Sequence, residues 1–185
     1  LSRLKERIEA IETSDKIEKK QTIDDIRVLI DGAGYRIVEQ NEEKPWGAYF
    51  RLDGDQADMF VEEFFPGLSP TEARLGNGAA ELSPKILLVS PAQRLSWQYH
   101  DRRAERWAFL TAGAYNKSQT DNPGEIIHAS PGEVVQFAKG ERHRLVGFAD
   151  GYTLVAEIWQ HTDADNLSNE EDIIRLEDDY QRHSV

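Results

Sequence analysis

Along residues 1–34 apolar side chains recur at helical spacing. Leu1, Leu4, Ile8 and Ile11 alternate with charges, which predicts an amphipathic helix over 1–20. A second helix fits 23–31: Thr22 stands as its cap, Ile23, Ile26, Leu29 and Ile30 form its apolar face, and Gly32 and Gly34 end it. From about Tyr35 the period changes. Short runs rich in Val, Ile, Phe and Trp alternate with Gly, Pro, Asp and Asn turns: YRIVEQ at 35–40, AYFRL at 48–52, KILLV at 85–89, RLSWQYH at 94–100, ERWAFL at 105–110, EVVQFA at 133–138, HRLVGF at 143–148 and YTLVAEIW at 152–159. Many short strands separated by turn signals predict an all-β sandwich or barrel. The stretch 54–82 interrupts that order. Its DMFVEEFF segment reads as a short helix and GLSPTEARLGNGAA as a loop, and a connection of that length predicts a lid or rim insertion. In the tail, Ser168 precedes Glu171 by three positions, a capping-box spacing. It predicts a short C-terminal helix docked through Ile173, Ile174, Leu176 and Tyr180. The expected organisation is therefore a helical arm at 1–34 and a β domain at 35–185 carrying the 54–82 insertion.

Composition narrows the partners. A chain of 185 residues with 39% hydrophobic residues can bury a core in one domain. The net charge of −12 argues against a nucleic-acid partner, which needs a basic footprint. Four arginines between Arg94 and Arg106 form a local basic stretch suited to one phosphorylated metabolite. No apolar run approaches the roughly 18 residues that a membrane-spanning helix needs, so no membrane partner is expected. With no cysteine, thiol catalysis and Cys-ligated zinc are excluded, and a cytoplasmic setting is the expectation. The chain opens on Leu1 without a charged-then-apolar leader, which suggests a trimmed terminus and no secretory signal.

Chemistry concentrates in QYHDRRAERW at 98–107 and AKGERHRL at 138–145. Side chains alternate faces along a strand, so Arg94, Ser96, Gln98 and His100 share one face and Leu95, Trp97 and Tyr99 the other. Glu105 opens the next strand after a charged turn and can return to the Gln98–His100 face. His143 opens a further strand after the turn at Gly140. Gln98, His100, Glu105 and His143 thus offer four nitrogen and oxygen ligands, a set that suits a divalent Zn, Fe, Mn, Co or Ni ion. Glu157 stands in the middle of an apolar strand, where a charge needs a partner or a function. His128, His161 and His183 match no element and read as surface or turn histidines. Trp97, Trp107 and Trp159 read as core, and Trp46 as packing at a barrel mouth.

These residues resemble the two cupin motifs. The first, His-x-His followed by three or four residues and Glu, reads Gln98-x-His100-x4-Glu105. The second, Pro-x-Gly-x-x-His, reads Ala138-Lys139-Gly140-Glu141-Arg142-His143. A closer likeness is to the type II mannose-6-phosphate isomerase domain. Its (R/K)PWG, LSLQxHxHRAEHW, PxGxxHRL and EDDIxRxEDxYGR elements are similar to Lys44-Pro45-Trp46-Gly47, LSWQYHDRRAERW at 95–107, KGERHRL at 139–145 and EEDIIRLEDDYQR at 170–182. Arg102 and Arg106 stand where that family keeps histidines, which would make the site more cationic.

The resemblance implies a cupin double-stranded β-helix, or jelly-roll barrel, with a divalent metal on Gln98, His100, Glu105 and His143. It implies interconversion of an aldose and a ketose phosphate, with Arg103 functional near phosphate or enediolate. Glu157 is a candidate for the base, and Lys85, Arg144 and Arg182 are candidates for the phosphate. It also suggests a homodimer. The alternative is a cupin that binds a sugar phosphate or metal without turnover, as a sensor or assembly subunit. A metal-free sugar-nucleotide epimerase would need a His–Asp dyad inside the barrel, and none can be placed.

Overall fold

The computed structural model describes residues 3–78 and 80–182; Leu1 and His183 lie outside them. Among the described residues eleven strands form two antiparallel sheets. The first contains β1 (Ile37–Lys44), β2 (Gly47–Leu52), β3 (Lys85–Val89), β5 (Arg103–Phe109), β8 (Val134–Phe137) and β10 (Thr153–His161), in the order β1-β2-β3-β10-β5-β8. The second contains β4 (Trp97–Tyr99), β6 (Gly113–Ser118), β7 (Ile127–Ala129), β9 (Arg142–Gly147) and β11 (Ile174–Glu177), in the order β11-β4-β9-β6-β7. Strands β3 to β10 pair as β3·β10, β4·β9, β5·β8 and β6·β7. That is one long hairpin wound around a barrel, the connectivity of a jelly roll.

The winding explains a sequence pattern that alternation alone does not. Every residue of β3 and all nine of β10 are buried, so these strands read as continuous apolar runs. Antiparallel sheets usually leave one face wet. Here the inner face of the first sheet lines the barrel, with Leu87, Val89, Trp107, Phe109 and Val155 in one cluster. Its outer face carries Ile86, Leu88, Ala108, Leu154, Ala156 and Ile158 into a second cluster under the helices. Gly47 permits the join between β2 and β3, because a Cβ there would lie 1.8 Å from the Leu88 carbonyl oxygen.

The helices depart from expectation in three places. The helix expected over 1–20 is confined to α1 (Leu4–Glu9), followed by α2 (Lys19–Gly32). Between them the backbone docks on the β9–β10 turn: Tyr152 N–H donates to Thr13 O at 2.7 Å, Asp15 N–H to Asp150 O at 3.0 Å, and Ser14 bridges Gly151. Those tertiary bonds outweigh local helix propensity. Thr22 lies inside α2, its hydroxyl bonded to Glu18 O, and Glu18 holds the cap position.

The 54–82 insertion packs mainly into the outer layer. It forms a short 3₁₀ turn, then α3 (Ala57–Phe64) and α4 (Pro70–Ala73). Phe60, fully buried, meets Tyr35, Phe64 and Phe65 at ring-centroid distances of 6.0, 4.7 and 6.5 Å. Apolar burial draws this segment into the outer layer beside α1 and α2.

The expected C-terminal helix is also absent; its residues supply β11, which pairs with β4. The capping pair is used elsewhere. Ser168 Oγ donates to Asp172 Oδ2 at 2.6 Å, and Glu171 N–H donates to Asn169 Oδ1. Among the described residues no helix is long and apolar enough to cross a membrane.

Candidate metal centre and its cavity

The two-sheet winding brings the ligand candidates to one point. Gln98 on β4 sits opposite His143 on β9 in register, His100 follows β4 directly, and Glu105 lies on β5. The turn that carries His143 is fastened to His100, since Gly140 N–H, at φ +76°, donates to the His100 carbonyl. His100, Glu105 and His143 are each almost fully buried, and one ligand atom from each lies within 4.8 Å of the others. Glu105 Oε1 is 2.9 Å from His100 Nε2, and Glu105 Oε2 is 3.6 Å from His143 Nε2.

The second ring nitrogens are committed. His100 Nδ1 lies 2.6 Å from the Asp172 carbonyl oxygen, and His143 Nδ1 lies 2.9 Å from that of Glu141. A carbonyl only accepts, so each Nδ1 carries a proton and each Nε2 is the atom turned to the cluster. This is the outer arrangement that orients metal-ligating imidazoles. Burial, with some repulsion from His100, pushes His143 down to about 4 despite the pull of Glu105, so it is neutral near pH 7. Burial opposes ionisation of Glu105, but His100 and Arg103 outweigh it and hold the carboxyl well below its usual range.

His143 Nε2 is buried and has no hydrogen-bond partner. An orphaned buried acceptor is costly, and a cation between His143, His100 and Glu105 would satisfy it. The donor set therefore fits a divalent metal of the Zn, Fe, Mn, Co or Ni group. Gln98 reaches the cluster by its nitrogen: Nε2 is 3.4 Å from His100 Nε2, while Oε1 accepts from Ser96 Oγ at 2.5 Å. It would ligate through oxygen only after turning its amide over.

Arg103 is buried against the same cluster. Its Nε donates to Glu105 Oε1 at 3.1 Å, Nη1 to Ser168 Oγ at 2.9 Å, and Nη2 lies 3.3 Å from His100 Nε2. Its guanidinium stacks on Trp159 at 3.8 Å. Glu157 on β10 stands opposite both Trp107 and Lys85 in register. The Trp107 indole N–H is shared by Glu105 Oε2 at 3.2 Å and Glu157 Oε2 at 3.0 Å, and Trp159 donates to Glu157 Oε1 at 3.1 Å. Burial, reinforced by the Glu105 charge, pushes Glu157 up to about 8.

No family model matches this sequence, and no curated protein matches it. Solved structures do. CapF with the inhibitor 3-isopropenyl-tropolone aligns over 78% of this chain and 35% of its own length, at 14% identity and a TM-score of 0.51. A conserved Klebsiella pneumoniae protein with a double-stranded β-helix domain aligns over 47% of this chain and 74% of its own, at 13% identity and a TM-score of 0.38. A cupin-superfamily sugar phosphate isomerase from Silicibacter pomeroyi aligns over 67% and 71%, at 14% identity and a TM-score of 0.45. The fold is a jelly roll of the cupin type.

Inside this cupin barrel, Gln98, Arg103, Glu105 and Glu157 line one cavity with Lys85 and Arg182. Arg144 does not line it. That side chain is buried between the strands, with Nε on Leu95 O and Nη2 on Glu177 O, and it ties β9 to the tail. Of the four arginines from 94 to 106 only Arg103 faces the cavity. Arg94 pairs with Asp179, Arg102 reaches Asn166 and Asn169, and Arg106 bonds Gln160. The arginines at 102 and 106 thus leave the ligand cluster unchanged.

The other cations of the cavity come from elsewhere. Lys44, beside the Pro45–Trp46–Gly47 turn, and Arg175 on β11 join Lys85 and Arg182 at its wall, and Glu170 borders it. Sequence reasoning matched the KPWG and EEDIIR elements without assigning these residues a role. His161 is no surface histidine: it is buried, its Nε2 bonded to Glu81 O and its Nδ1 to Ser168 N–H. His128 is exposed on β7. Trp97 and Trp107 are core, whereas Trp46 and Trp159 are buried in the cavity wall.

Proposed function

We propose that this cupin is a metal-dependent sugar-phosphate isomerase that interconverts an aldose and a ketose phosphate, as its likeness to type II mannose-6-phosphate isomerase implies. One observation carries the reading. The Trp107 indole bridges a ligand carboxylate, Glu105, and a second buried carboxyl, Glu157, in a cavity walled by Lys44, Lys85, Arg175 and Arg182. A divalent cation held by His100, Glu105 and His143, with Gln98 after amide rotation, would polarise the carbonyl and hydroxyl oxygens of the substrate.

Glu157 carries the proton between adjacent carbons. Its tendency to titrate near neutrality suits a group that must both take and return one. The indoles of Trp107 and Trp159 hold its two oxygens and fix the plane of transfer. Arg103 directs N–H donors toward charge developing on the enediolate, and the lysine and arginine wall takes the phosphate.

The test is exchange between mannose 6-phosphate and fructose 6-phosphate by metal-loaded protein. Glu157→Gln should lower kcat by about 10²–10⁴, the usual worth of a positioned acid–base group. Full activity in that variant, or in stripped protein carrying His100→Ala and His143→Ala, would sink the proposal.

A second reading has its own support. Arg103 Nη2 lies 3.3 Å from His100 Nε2, the lone pair a metal would use. A chain that binds a sugar phosphate through this resident cation would show ligand-induced thermal stabilisation and no turnover.

A further inference from the structure

Lys85 is almost wholly buried, with 5% of its side chain exposed, and its ammonium lies 3.9 Å above the Trp159 ring. Its hydrogen-bonded counter-ion is Glu170, at 2.9 Å, whose side chain is 69% exposed. A buried ammonium thus depends on a carboxylate that reaches in from the mouth of the cavity. Lys44, Arg103 and Arg175 border the same space. The cations crowd one another. Burial, and then repulsion from Arg182, Arg175 and Lys85, lowers the Lys44 ammonium below its ordinary value. A wall of this kind is built to hold an anion, and the anion at hand is a side chain of the protein.

We infer that Glu170 is a resident stand-in for the phosphate of the substrate, a carboxylate that a dianion must displace from Lys85 and that thereby selects phosphorylated over neutral sugars. The inference rests on the proposed function only for the identity of the anion.

The surrounding backbone lets Glu170 move by itself. On one side Asn169 O accepts from Arg103 Nη1, and on the other Asp172 O accepts from His100 Nδ1. Both flanks are pinned while 69% of the Glu170 side chain is exposed. A second cleft, lined in part by Arg51, Glu81, Ser83 and Asn169, shares Glu170 and Trp159 with the cavity and offers the displaced carboxylate room. A phosphate at Lys85 carries more charge than one carboxylate and more acceptor oxygens, so it gains more from the same cations. A neutral sugar brings nothing that compensates Lys85 once Glu170 leaves.

The experiment is calorimetric titration of inorganic phosphate into the full chain, with no turnover read. Glu170→Gln should bind phosphate at least ten-fold more tightly than the parent, and adding Lys85→Met should abolish that gain. Removing the counter-ion of a buried ammonium should lower Tm, so Tm is read beside each titration to show that both variants stay folded; Glu170→Ala gives the same comparison without a residual amide contact. Unchanged or weaker phosphate binding in both Glu170 variants would overturn the inference, as would a gain that survives Lys85→Met. Because sugar exchange is not the readout, tightened phosphate binding in a chain without isomerase activity would leave the Glu170 assignment standing and remove the reaction.

Discussion

The two faces of the first sheet use the same strands for opposite ends. On its outer face, Ile86, Leu88, Ala156 and Ile158 meet α2 and α3 in an apolar layer. On its inner face, one residue away in each strand, Lys85, Glu105 and Glu157 are equally buried and charged or titratable. A strand's period of two lets adjacent positions belong to different solvents. The outer layer holds the barrel so that the inner face can keep groups whose burial is unfavourable in isolation. Stability and chemistry should therefore respond separately to substitution.

The sharpest break is on the inner face. His100→Ala or His143→Ala should abolish divalent metal uptake, measured by metal analysis of the purified protein, and sugar exchange with it. Next in size is the outer face. Phe60→Ala removes a fully buried ring and should cost about 3–5 kcal/mol. At about 2–4 °C per kcal/mol for a chain of this length, Tm should fall by roughly 6–20 °C. Metal uptake at low temperature should persist, and its loss would show that the two faces are not separable.

A smaller effect tests the tail that joins them. Burial opposes ionisation of Asp172, but bonds from Ser168 and from the backbone N–H groups of Asp101 and Arg102 outweigh it and lower the carboxyl. A depressed carboxyl contributes stability that is present above its unfolded value, about 3.9, and is lost as pH falls through the folded one. Denaturant midpoints should drop on acidification below about pH 4, and more gently in Asp172→Asn. The smallest effect belongs to the surface. Arg94→Ala breaks a half-exposed pair with Asp179 and should change stability by no more than about 1 kcal/mol.

Legibility in the sequence followed the range of the interactions. The eight runs read as strands all contain strands, and the spacing of His100, Glu105 and His143 foretold a cluster because two short strands and the residue after a third carry them. Strands β6, β7 and β11 escaped notice. GAYNKS and IHA carry little apolar alternation, and IIRLE is joined to β4 by pairing across more than seventy residues. Ser168 and Glu171 have the spacing of a helix cap, yet the serine hydroxyl serves Arg103 and Asp172. The cationic wall was the least visible part. Lys85 and Arg182 were phosphate candidates, but Lys44 and Arg175 were not: the four come from three segments that no local window joins, whereas the arginines that do cluster in sequence disperse in space. The length of the insertion at 54–82 predicted a lid or rim element, and its three buried phenylalanines carry it into the outer layer.

One hydrogen bond sets a timetable. The His100 ring is oriented by the carbonyl of Asp172, which lies seventy-two positions later in the chain. At cellular elongation rates of about 5–20 residues per second, roughly 4–14 s separate the synthesis of the two partners. During that interval the His100 ring lacks the carbonyl that orients it. Ribosome-stalled chains ending well beyond Asp172 should therefore capture metal more strongly than chains ending before it.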